Sequence, residues 1–162
     1  MKTKFKIIPE LFVHQKDLEN EIEKRLRYAK NRDTAKRGAI SERTFVKTWG
    51  KHITEHPSNI KSRDGIIQLG SDYITEVKSM VPGNQGVSLK DHWKWIEKPP
   101  SLYQIYFVDE EENTCEFTHW QSYRKIISIF ESTFETNFII GKSGFDKKSR
   151  WNVIPIKYFE RV

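Results

Sequence analysis

Three side chains in the stretch Arg63 to Lys78 have the types and spacing for metal-assisted phosphoryl chemistry: Asp64, then Glu76 and Lys78 on either side of Val77. Side chains alternate along a strand, so Glu76 and Lys78 point to one face while Thr75 and Val77 point to the other. Two carboxylates can hold a hard divalent cation by oxygen, with the Val77 carbonyl completing the shell and positions left for water and a phosphate. Such a cation polarises the phosphate and acidifies water, and the lysine steadies the nucleophile and the developing charge. The expected cofactor is Mg²⁺, with Mn²⁺ as a substitute.

The element that must position these groups is a hairpin. Two short apolar strands, Gly65 to Leu69 and Tyr73 to Val77, flank the turn residues Gly70-Ser71-Asp72. If the loop is residues 70 to 72, Leu69 pairs with Tyr73, Asp64 lands opposite Lys78, and the three polar groups share a face. A two-residue loop would instead set Asp64 against Val77. An acid-x-Lys triplet is weak by itself. Asp146-Lys147-Lys148 also matches, but it follows Gly141-Lys142-Ser143-Gly144 in an expected loop, whereas an apolar strand carries Glu76. The bland alternative is a surface hairpin with an ordinary Glu–Lys pair.

Asp64, eleven residues, then Glu76-Val77-Lys78 resembles the PD-(D/E)XK nuclease superfamily, the fold of type II restriction enzymes and Holliday-junction resolvases. The resemblance implies an α/β (α+β) fold whose core is a central mixed β-sheet flanked by helices. It also implies an acid on a helix before the catalytic strands, for which Glu42 is a candidate. The preferred reading of Glu42 is nevertheless a helix N-terminal charge favoured by the dipole, because Ser41 reads as an N-cap. The order after Lys78 is loosely similar to the PvuII-type branch: His92, an aromatic strand from Tyr103 to Val108, Trp120 to Phe130, then Asn152 and Ile154-Pro155-Ile156-Lys157-Tyr158. Arg63 stands where the superfamily name has Pro, and the middle segment has one His where the branch has a cluster. Gln104-x-Tyr106 replaces the Gln-x-x-x-Tyr of exonuclease relatives.

At 162 residues the chain fits one domain able to bury a core, with a basic helical N-terminal part (about 1–56) and a catalytic core (about 57–162). Residues 1–50 hold thirteen Lys or Arg against seven Asp or Glu, which accounts for the whole net charge of +6. This basic third could contact phosphates, or it could be a solvated helix face. No apolar run reaches the length of a membrane span, and Met1 to Lys6 lacks a signal-peptide core. The single Cys115 excludes an internal disulfide and a cysteine-based zinc site. A cytoplasmic, non-membrane protein is expected.

Along the chain, a short strand is expected at Phe5 to Ile8. A helix follows over Asp17 to Lys30, with Leu18, Ile22, Leu26 and Ala29 as a narrow stripe suited either to a partner subunit or to its own domain. A second helix is expected from Ser41. The loop Val81 to Gly86 carries Asn84 and Gln85, able to approach a nucleic acid. Ser88 is expected to cap a helix through Lys98 that exposes Lys90 and His92. Strands are expected at Leu102 to Val108 and Thr114 to His119, a helix at Ser122 to Phe134, and strands at Phe138 to Ile140 and Trp151 to Ile156. Lys147, Lys148, Arg150 and Asn152 complete the expected DNA-binding set.

The expected function is a Mg²⁺-dependent endonuclease acting on double-stranded DNA, restriction-like and homodimeric, because symmetric cutting of two strands needs two sites. A structure-selective nuclease of the junction-resolvase kind shares the metal site. A nucleic-acid-binding module with a purely structural hairpin is the alternative from another class.

Overall fold

The computed structural model describes residues 3–6, 12, 14–27, 30–55, 65–68, 72–90, 100–132, 141–142 and 150–162. Leu18 and Ile22, one turn apart, form the buried stripe of α1 (Gln15–Leu26). Its first turn is closed by the Asp17 carboxylate, which accepts the His14 backbone N–H at 3.1 Å. α2 (Arg32–Trp49) starts at Asn31, whose side chain accepts the Thr34 N–H at 3.1 Å. Ala35, Ala39, Ile40, Ser41, Thr44 and Phe45 are its buried positions.

One expectation is corrected and one alternative decided. The second helix does not begin at Ser41, which is buried mid-helix with its hydroxyl donating to the Gly38 carbonyl at 3.0 Å. The stripe of α2 is hard to read because its first two buried positions are alanines set in a run of charges. Of the two alternatives for the stripe of α1, a partner subunit or its own domain, the second holds. Leu18 and Ile22 pack within the chain in one cluster with Ala39, Phe45, Val77 and Tyr106.

The strands are β1 (Thr3–Lys6), β2 (Ile53–Glu55), β3 (Gly65–Gln68), β4 (Asp72–Met80), β5 (Gly86–Lys90), β6 (Leu102–Asp109), β7 (Thr114–Ser122), β8 (Gly141–Lys142), β9 (Arg150–Pro155) and β10 (Glu160–Arg161). The larger sheet has the order β1-β7-β6-β4-β3-β2, with β10 also pairing with β7. It is mixed: β4 and β6 run parallel, and the other described pairs are antiparallel. β6 lies between β4 and β7, as its apolar sequence predicts, and is buried on both faces. Tyr106 and Val108 face the α1–α2 cluster, while Tyr103 and Ile105 face a second cluster with Met80, Leu89, Ile126 and Ile154. Ile126 comes from α3 (Tyr123–Ser132), which directly follows β7.

β5, β9 and β8 form a small antiparallel sheet on that second face. The expected helix from Ser88 is therefore corrected over residues 88–90. Val87 and Leu89 are buried while Ser88 is exposed, a two-residue period that fits a strand. Residues 91–99, the expected strand at 138–140 and most of the loop 141–149 lie outside the described residues. Cys115 is fully buried on β7 in the α1–α2 cluster, where burial pushes its thiol pKa up to about 12 against an opposing hydrogen bond with Thr44. Among the described residues, no helix is long and apolar enough to cross a membrane.

Candidate active site

Thr75 and Val77 on β4 are buried, while the even-numbered Glu76 and Lys78 project together from the strand. The Lys78 Nζ lies 3.1 Å from the Glu76 Oε1, with the glutamate side chain 13% and the lysine side chain 22% exposed. The two expected side chains are thus paired in a nearly dry setting rather than splayed into water.

The hairpin register differs from both sequence alternatives. Gly65 pairs with Thr75, Ile67 with Tyr73 and Gln68 with Asp72, so Leu69, and not Asp72, belongs to the three positions between the strands. Among the described residues this ladder ends at Thr75, and β4 runs on to Met80 with β6 along its other edge. Asp64 lies outside the described residues.

Glu42 is the side chain whose role the sequence misassigned. It sits nearly three turns into α2, too far from the N-terminus for the dipole reading. Its charge instead reaches Glu76. Burial is the main cause that raises the Glu76 pKa; Lys78 opposes it, and Glu42 adds to it. Both carboxylates line one cleft of about 580 Å³, floored by Val77 to Met80 and walled on one side by α1 and α2. Asn84, Gly86 and Ser88 supply the opposite wall. Tyr103, which pairs with Glu76 across the β4–β6 ladder, has its phenol pKa raised first by burial and then by the Glu76 charge, so it stays protonated.

Arg25 closes the helical wall. Its Nη1 donates to Glu42 Oε1 at 3.0 Å, its Nη2 to Glu42 Oε2, and its Nε to Glu21 Oε1 at 3.2 Å. Burial opposes the Arg25 charge, but Glu42 and then Glu21 outweigh it and raise the pKa. A Cβ added at Gly38 would stand 3.1 Å from Arg25 Nη1. The available sequence signals were the Glu21–Arg25 and Gly38–Glu42 spacings, each one helical turn.

Of the expected DNA-binding residues, Asn84 lines the cleft and Gln85 is exposed beside it. The Asn84 Oδ1 accepts the Gly86 N–H at 3.2 Å, which shapes this lip. Lys90 and Asn152 occupy neighbouring ladder positions on β5 and β9, and Arg150 pairs with Lys142 on β8. His92, Lys147 and Lys148 lie outside the described residues. The basic N-terminal third is partly neutralised: besides Arg25, Arg32 pairs with Glu23 at 2.7 Å and Lys36 with Glu110 at 3.4 Å.

Among the described residues, no group of three His, Cys, Asp or Glu side chains converges as a complete metal shell. The donors present fit the partial protein shell typical of Mg²⁺, which takes one or two carboxylates and leaves other positions to water and phosphate. The chain matches no protein-family model, no curated protein and no solved structure.

Proposed function

We propose that this chain is a Mg²⁺-dependent endonuclease of the restriction-endonuclease-like kind, hydrolysing phosphodiester bonds in double-stranded DNA. One observation carries the reading: a largely buried carboxylate, Glu76, is held 3.1 Å from Lys78 in a cleft it shares with a second acid, Glu42. Two acids brought together in partial burial raise each other's energy when ionised, and a cation relieves it. The sequence of a β4–β6 parallel pair, a β6–β7 hairpin and α3 supports the same reading, being the order the PvuII-type resemblance implies.

In this mechanism Glu76 and Glu42, with Asp64 and the Val77 carbonyl, would hold the cation. When bound, Mg²⁺ supplies polarisation of the scissile phosphate and acidification of a water. Lys78 orients that water through its ammonium; the water gives up a proton to bulk solvent, and Lys78 stabilises the added negative charge as the water oxygen bonds to phosphorus and the phosphorus–oxygen ester bond breaks. The leaving oxygen takes its proton from solvent. Tyr103 remains a neutral group beside Glu76, and Asn84 with Gln85 meets the nucleic-acid backbone at the lip. Two copies of the chain supply the two cuts.

The test is incubation of the purified chain with mixed-sequence duplex DNA, with and without Mg²⁺. Discrete fragments that require Mg²⁺ are expected. Cutting confined to branched DNA would assign a structure-selective nuclease, and Mg²⁺-indifferent binding without cleavage would overturn the reading.

A further inference from the structure

We infer that Arg25 is a positioning residue that fixes the Glu42 carboxylate at the cation cleft, with Gly38 as the opening that admits its guanidinium. The inference rests on the endonuclease reading and assigns a role to residues outside the acid–lysine motif.

Three observations combine. First, both Nη atoms of Arg25 hold the two oxygens of Glu42, and the Nε is tethered to Glu21, so the planar fork is fixed at both ends. A carboxylate offers about two lone pairs on each oxygen, and this grip uses one on each. The remaining pairs stay available on the side where Glu42 lines the cleft with Glu76.

Second, Gly38 lies inside α2, where glycine is less favourable than alanine. Its backbone is ordinary helix, so the glycine is not required by a turn. The missing Cβ is what leaves room, since that atom would stand 3.1 Å from Arg25 Nη1. Gly38 and Glu42 are one turn apart on α2, so the gap and the carboxylate lie on the same face.

Third, Glu42 shares its cleft with a second carboxylate, Glu76. A Glu42 side chain turned toward Glu76 would set two like charges together, and one turned to solvent would leave the cleft. Arg25 holds it between these extremes and offsets its charge. Lysine could keep the charge, but it lacks the fork that binds both oxygens.

The test uses the full chain with Arg25→Lys and, separately, Gly38→Ala. Two readouts are taken: the Mg²⁺ concentration giving half-maximal DNA cleavage, and the Mg²⁺-induced rise in thermal midpoint without DNA. Arg25→Lys should raise the Mg²⁺ requirement by about tenfold, as for groups that orient metal ligands, with the defect shrinking at saturating Mg²⁺. Gly38→Ala should show the same direction of change although its thermal midpoint without Mg²⁺ is unchanged or higher. A purely structural role would not separate the two.

Wild-type Mg²⁺ requirement and thermal response in both variants, beside an active wild type, would overturn the role of Arg25 and leave the endonuclease reading standing. A wild type that responds thermally to Mg²⁺ without cutting would overturn that reading, and the thermal response of the variants would still decide on Arg25. A wild type showing neither overturns both.

Discussion

Lys78 Nζ and Glu76 Oε1 stand 3.1 Å apart on alternate positions of one strand, both largely withdrawn from water. In a cleft of this kind the lysine charge is positioned before any substrate arrives. Lys78→Ala should therefore lower the cleavage rate about a hundredfold to a thousandfold while gel-shift affinity for the same duplex falls only modestly. Cleavage at the wild-type rate would remove Lys78 from the mechanism.

Glu76 should reveal itself through pH. Its folded pKa is raised, chiefly by burial, so the fold favours the neutral acid. The stabilisation is complete below the unfolded carboxylate range and is lost as pH rises through the folded pKa. Glu76→Gln, a neutral isostere, should match wild-type thermal stability below the unfolded carboxylate range and increasingly exceed it as pH rises through the folded pKa. The same variant should lose the Mg²⁺-induced stabilisation and the cleavage. Equal melting curves across the whole range would refute this account of the site.

Leu18 tests where the α1 stripe packs. It is fully buried within the chain, so Leu18→Ala should cost about 2–5 kcal/mol in urea unfolding. That loss should be the same at every protein concentration, as it would not be if the stripe itself formed a subunit contact.

The buried pair under α2 offers a fourth check. Tyr106 donates to Gln104 Oε1 at 2.7 Å, and both residues are almost wholly buried. Tyr106→Phe should cost about 1–3 kcal/mol by leaving the Gln104 carbonyl without that donor. Adding Gln104→Leu should cost less than the two single losses summed, measured as a double-mutant cycle.

Much of the frame was legible from local pattern. The unbroken apolar run of β6 marked a strand buried on both faces, and the Glu76-Val77-Lys78 alternation placed the acid and lysine together. The failures have physical causes. The start of α2 was obscured because its early core contacts use Ala35 and Ala39, and because Gly38 reads as a breaker until Arg25 is seen above it. Ser88 looked like a helix cap, yet the alternating burial of Val87 and Leu89 is set by β9, more than 60 residues away in sequence. The same distance problem hid the Arg25–Glu42 grip. A one-residue shift in the hairpin loop was also beyond reach, since several turn lengths suit the residues 69–72.

Cys115 gives the molecule a built-in clock. The thiolate is the reactive form of a thiol, and burial keeps this one protonated, with a pKa pushed up to about 12 and no exposed surface. Cys115 is also the sole cysteine of the chain, so every modification event reports one place. That place lies on β7 beneath α2 and beside Phe117, so a reagent reaches it only when the helical layer parts from the sheet. The labelling rate of the unmodified chain therefore times the opening of this layer, and slower labelling with Mg²⁺ would be the mark of a cation held between α2 and β4.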